Sequence, residues 1–120
     1  MRMREITFDG QPAIDGYGPG GFRIREAWHE GARVVSPSGV AEIETPLTPE
    51  RLAPLLGMAA DIDVVLVGQG PEIAPLPARL RILFEEANIG VEIMSTPSAC
   101  RTYNVLLAEE RRVAAVLLPV

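Results

Sequence analysis

Thr96-Pro97-Ser98-Ala99-Cys100-Arg101-Thr102-Tyr103-Asn104 and, a few residues on, Val113-Ala114-Ala115-Val116-Leu117-Leu118 decide how this chain folds. The first stretch predicts a helix opening at Thr96, and the second is a continuous apolar run that reads as a closing strand. At about 100° per residue, Ala99, Tyr103, Leu106 and Leu107 define one apolar helix face. Cys100 lies on its margin, with Asn104 one turn further along. Upstream, Val64-Val65-Leu66-Val67 is the pattern of a strand buried on both faces, ending in Gly68-Gln69-Gly70-Pro71. A helix over about 77–87, closed by Asn88 and Gly90, leads to a short strand over 91–94. The second half is therefore βαβαβ in character, with 64–67 expected as the central strand.

The first half has a different period. Alternation with glycine punctuation predicts strands over 5–8, 22–28, 33–35 and 40–44. In 22–28, Phe22, Ile24 and Trp28 share one face while Arg23 and Arg25 take the other. His29-Glu30-Gly31 and Ser36-Pro37-Ser38-Gly39 supply turns, making 22–44 a pair of consecutive antiparallel hairpins. Asp15-Gly16-Tyr17-Gly18-Pro19-Gly20-Gly21 precedes a strand rather than a helix, so it reads as a structured turn with Tyr17 packed inward. Thr48 as N-cap and Pro49 at the first helical position start a helix that runs to about Met58. With no linker or repeat between the halves, the expectation is a single α/β domain over residues 1–120, its mixed sheet shared by both halves and flanked by helices.

Composition narrows the chemistry. The chain has 120 residues, one cysteine, one histidine and a net charge of −5. Cys100 cannot form an internal disulfide, and with His29 alone beside it no usual structural zinc site assembles. Every positive charge is arginine, which removes Schiff-base lysines and the lysine of a phosphate-binding P-loop. Net negative charge argues against nucleic acid as a partner, since a basic face supplies most of that affinity. No apolar stretch approaches the roughly 20 residues of a membrane-spanning helix, and the start of the chain lacks the apolar core of a signal peptide. The cytoplasm is the expected compartment.

Several motifs in this order resemble a known family. They are Asp15-Gly16-Tyr17-Gly18, Val67-Gly68-Gln69-Gly70, Ile89-Gly90-Val91-Glu92-Ile93-Met94 and above all Ala99-Cys100-Arg101-Thr102-Tyr103-Asn104, with Val113 to Pro119 closing the chain. Together they resemble a domain-of-unknown-function family that includes the mitochondrial complex I (NADH:ubiquinone oxidoreductase) assembly factor 3 proteins. The resemblance covers roughly 14–118 and departs at Ser98, Gln69 and Glu110. It implies a three-layer fold with a mixed central sheet. It also implies a binding or assembly-assisting role whose partner is another protein, such as a respiratory-complex or membrane-biogenesis component. It brings no catalytic mechanism and no cofactor.

The residues themselves leave two readings open. Cys100 is either a thiolate activated by the helix N-terminus and Arg101 or, as is commoner for a lone cysteine, a small packing residue. Arg101 opposes the helix dipole, which costs a few tenths of a kcal/mol. It forms an anion site with Ser95, Thr96 and Ser98, or pairs with Glu92, Glu72 or another carboxylate while the hydroxyls cap. Gly68-Gln69-Gly70 lacks the third glycine of a dinucleotide fingerprint and fits a sharp turn better. The candidate ligand-binding set is thus Gly68, Gln69, Gly70, Ser95, Thr96, Ser98, Cys100, Arg101 and Asn104, with no catalytic residue and no metal ligand assigned. It belongs to the alternative function, a small-anion-binding protein or enzyme. The leading function is a protein-binding factor without turnover, monomeric or homodimeric, with Trp28 or an uncovered hairpin edge as contact area.

Overall fold

A computed structural model describes residues 10–120; the strand expected over 5–8 lies outside them. Five short strands come first: β1 (Gly16–Gly18), β2 (Gly21–Ile24), β3 (Ala27–Glu30), β4 (Arg33–Ser36) and β5 (Gly39–Glu42). Then follow α1 (Pro49–Leu56), β6 (Val64–Gln69), α2 (Ala78–Glu86), β7 (Gly90–Met94), α3 (Thr96–Ala108) and β8 (Val113–Leu118). A 3-10 turn, Ala59–Asp61, bridges α1 and β6. The α/β class, the antiparallel hairpins and the βαβαβ second half are all present.

The second half is where local sequence rules act without competition. Thr48 caps α1 through Oγ1, which accepts from Arg51 N at 3.2 Å, and Pro49 occupies the first turn. The helix ends at Leu56 rather than Met58, with Gly57 as its cap. Asn88, at φ 62°, closes α2 in the left-handed region. Ser95 caps α3, and β8 covers the six residues of the apolar run.

Of the two consecutive hairpins expected over 22–44, the second forms as β4–β5, but His29-Glu30-Gly31 is no hairpin turn, because β3 and β4 belong to different sheets. Residues 22–28 are not one strand: Arg25 and Glu26 both take positive φ, 53° and 66°, and turn the chain back so that Ile24 faces Ala27. This is a two-residue hairpin turn made without the asparagine or glycine that normally signals one. Two contacts hold it: Glu26 N donates to Asp15 Oδ2 at 3.1 Å, and the Arg25 guanidinium donates to the Gly10 carbonyl. Phe22 and Ile24 are buried as expected, but Trp28 points to the outer face, its indole lying across Gly18 and Gly21 and donating to Glu30 Oε1 at 2.9 Å. Tyr17 sits in β1, 43% exposed, rather than packed inside a turn.

Consequently β1, β2 and β3 form a separate antiparallel sheet, and only β4 and β5 join the second half in a five-stranded mixed sheet of order β5-β4-β8-β6-β7. The central position falls to β8, antiparallel to β4 and parallel to β6. Alternate residues of this sheet feed two cores. Val65, Val67, Ala114 and Val116 pack with Leu52, Leu55, Leu80 and Phe84 of α1 and α2. Leu66, Ala115 and Leu117 pack with Ala99, Cys100 and Tyr103 of α3 and with Phe22 and Ile24 of the small sheet. The layers are α1 and α2, then the five-stranded sheet, then α3 with the three-stranded sheet.

Candidate functional site

In parallel α/β sheets ligands bind at the carboxyl ends of the strands, where successive connections leave in opposite directions. That point here is the end of β6: the chain passes through α2 to β7 on one side, then through α3 to β8 on the other. Gly68, Gln69, Gly70, Ser95 and Thr96 meet there.

Thr96 fills it. It is fully buried; its Oγ1 accepts from Gly70 N at 2.8 Å and donates to the Leu118 carbonyl at 2.6 Å, while its own N donates to the Gly70 carbonyl at 2.7 Å. A hydroxyl has one hydrogen, and this one is spent on β8. Gly68 lets α3 come this close, since a Cβ there would stand 2.9 Å from Thr96 Oγ1 and 3.1 Å from Ala99 Cβ. Gly70 takes φ +99°, a conformation that favours glycine. Gln69 belongs to the other side of the sheet, lining a cavity of about 190 Å³ with Thr45, Pro46, Leu76, Pro77 and Leu80.

On the first turn of α3, Ser95 Oγ accepts from Ser98 N at 3.4 Å and donates to Ser98 Oγ at 3.2 Å, and Arg101 Nη2 donates to Ser98 Oγ at 3.5 Å. Arg101 is exposed and makes no ion pair among the described residues, so neither Glu92 nor Glu72 holds it there. Cys100 points the other way, 4% exposed within the core that contains Tyr103 and Leu66. Burial pushes its thiol up to about 11, against a smaller opposing pull from the Arg101 charge. A thiol so placed is overwhelmingly protonated at neutral pH, the state opposite to that of an activated nucleophile.

Asn104 is committed to the backbone: Nδ2 donates to the Ile14 carbonyl and Oδ1 accepts from Ile14 N, both at 2.8 Å. Tyr103, one residue earlier, donates to the Pro12 carbonyl at 2.6 Å, and burial pushes its hydroxyl up to about 12. This pair straps the segment entering β1 onto α3. The nine candidate residues thus separate into a closed strand junction (Gly68, Gly70, Thr96), a polar turn with half-buried Ser95 and Ser98 and exposed Arg101, a buried thiol, a strap and Gln69 on the opposite side.

Residues that sequence reasoning passed over lie elsewhere. One cavity, about 360 Å³, sits between the β4–β5 hairpin and α1, walled by Val34, Ile43, Leu55 and Met58 with Arg51 on its lining. Another, about 460 Å³ and open to solvent, lies beside β7 and is lined by Ile73, Ala74, Pro75, Arg81 and Ile93. Ile73 is 66% exposed, and its signal in the sequence is the apolar stretch Ile73-Ala74-Pro75-Leu76 left outside every predicted helix and strand. Among the described residues no three His, Cys, Asp or Glu side chains converge on a metal position, and no helix is long and apolar enough to cross a membrane.

A family model described as "Protein of unknown function (DUF498/DUF598)" matches residues 14–118. The chain is 47% identical over 120 residues to an uncharacterized protein of Rhodobacter capsulatus, covering 99% of this chain and 94% of that protein. It is 30% identical over 110 residues to NADH dehydrogenase (ubiquinone) 1 alpha subcomplex assembly factor 3 of Danio rerio, covering 88% of this chain and 63% of that protein. The chain therefore spans less than two thirds of that assembly factor. Among solved structures, one described as an outer membrane protein from Bartonella henselae superposes with a TM-score of 0.89 at 43% identity, covering 93% of this chain and 98% of that one.

Proposed function

The chain belongs to the DUF498/DUF598 family, and on that premise we propose that it is a cytoplasmic protein-binding factor that assists the assembly of a respiratory complex, holding partner subunits without turning over a substrate. The observation that carries this reading is the 30% identity to an assembly factor of NADH dehydrogenase over 88% of this chain. The geometry supports it in one respect. The sheet end where an enzyme of this architecture would take its ligand is occupied by Thr96, and the only thiol is buried and protonated.

The test is affinity purification of the tagged chain from native lysate, beside Arg101→Ala and Cys100→Ser, with mass spectrometry of bound proteins and small molecules. Respiratory-complex subunits retained by all three chains are the expected result. A metabolite that co-purifies with the wild type and is lost with Arg101→Ala would replace this reading with the ligand-binding one. Loss of the gene should also lower the amount of fully assembled complex on native gels, and an unchanged amount counts against an assembly role.

A further inference from the structure

β7 is the last strand of the five-stranded sheet, so one of its long sides faces no other strand among the described residues. Gly90 N donates to the Asp63 carbonyl at 2.9 Å, which fixes the phase of the ladder. In a parallel pair, alternate residues turn their peptide groups to the neighbour, so Gly90, Glu92 and Met94 face β6 while the N–H and C=O of Val91 and Ile93 face outward. Proteins usually block such an edge with proline, lysine or a bulge. This strand, Gly90-Val91-Glu92-Ile93-Met94, has none of these and carries one exposed charge, Glu92, while Val91, Ile93 and Met94 are only half buried.

The cavity of about 460 Å³ adjoins this open edge through Ile93. Its walls are apolar except for Arg81, which is half buried and makes no ion pair or side-chain hydrogen bond among the described residues. A guanidinium beside apolar walls favours a carboxylate, which it can hold by two parallel charge-assisted hydrogen bonds.

We propose that the β7 edge docks an extended segment of a partner protein, which adds a strand beside Val91 and Ile93, places an apolar side chain in the cavity and pairs a carboxylate with Arg81. This inference rests on the partner-binding reading above and gives it a site. Main-chain hydrogen bonds to the edge supply affinity, and the side-chain cavity supplies selectivity. A second copy of this chain is disfavoured in the register that overlaps the two β7 strands fully. The antiparallel register that pairs Val91 with Ile93 of another copy sets two Glu92 side chains directly opposite each other, which is destabilising.

Ten-residue peptides displayed on phage and selected on the immobilised full chain provide the probe. The recovered sequences should alternate apolar residues and carry Asp or Glu at one position. Binding of a selected peptide, read by fluorescence anisotropy, should weaken at least tenfold with Arg81→Glu and return when the peptide carboxylate is replaced by lysine. Amide shifts on binding should centre on Val91 and Ile93. Peptides without an acidic position, equal binding to Arg81→Glu, or shifts centred elsewhere would each overturn the proposal. So would a concentration-dependent dimer in sedimentation that Ile93→Lys abolishes, because the edge would then serve a second copy. The two levels of inference fail separately. Respiratory subunits that stay bound to both Arg81→Glu and Ile73→Ser would move the docking site elsewhere and leave the assembly role intact. Peptide capture at β7 without such subunits would keep the site and remove that role.

Discussion

The carboxyl end of β6 and the open side of β7 are neighbours on one sheet, and they are finished in opposite ways. At the first, three chain segments are joined through the Thr96 hydroxyl and peptide, with Gly68 and Gly70 keeping the space small. At the second, the N–H and C=O groups of Val91 and Ile93 face outward, without a neighbouring strand among the described residues, beside a cavity that contains a half-buried arginine. One region has its polar groups satisfied internally, and the other leaves them for something else. Burial alone does not separate structural from functional positions here. What separates them is whether each donor and acceptor already has a partner.

The sharpest way to break this contrast is to unmake the junction. Thr96→Val keeps the shape but orphans Gly70 N and the Leu118 carbonyl; at roughly 1–3 kcal/mol for each buried unsatisfied group, unfolding in urea should show a loss of about 3 kcal/mol. A loss below about 1 kcal/mol would mean that the junction is wetter than its hydrogen bonds indicate. Gly68→Ala tests the same place by volume, and pushing a methyl against Thr96 and Ala99 should cost about 2 kcal/mol.

An effect of comparable size comes with alkali. Cys100 and Tyr103 are held protonated, near 11 against an ordinary 9.0 and near 12 against an ordinary 10.0, by burial above all. Their unfolded forms lose protons first, so the stability they contribute is intact below about pH 9 and declines as pH rises through the folded values. Chemical denaturation from pH 8 to 11 should follow that fall, and Cys100→Ala should flatten its first part. The smallest expected effect is at the edge: Ile73→Ser should change stability by less than about 0.5 kcal/mol, because Ile73 is 66% exposed. A large loss there would show that β7 and its cavity are part of the folding core, and the contrast between the two regions would disappear.

Legibility followed the range of the interactions involved. The strand over Val113–Leu118, the Thr48 cap and the Asn88 stop depend on residues a few positions apart, and each could be read directly. The Arg25-Glu26 turn could not, because both residues pay the left-handed backbone cost without the usual glycine, and the contacts that hold it come from Asp15 and Gly10. Trp28 was misassigned to an inner face for the same reason: that turn resets the alternation after Ile24. Among the candidate residues, the proximity of Cys100 and Asn104 on one helix margin was visible from spacing. Their separate commitments, one to the core and one to Ile14, were not.

By itself, then, the sequence determined the elements of the second half, the apolar face of α3 and the family, because periodicity, caps and ordered motifs are properties of neighbouring residues. Only the tertiary structure decided that the first hairpins divide between two sheets, that β8 rather than β6 is central, that Thr96 closes the strand junction and that β7 has no outer neighbour among the described residues. Those outcomes depend on hydrogen bonds between groups far apart in the chain, such as Thr96 with Leu118 and Asn104 with Ile14, whose partners become neighbours only after the strands have chosen their order.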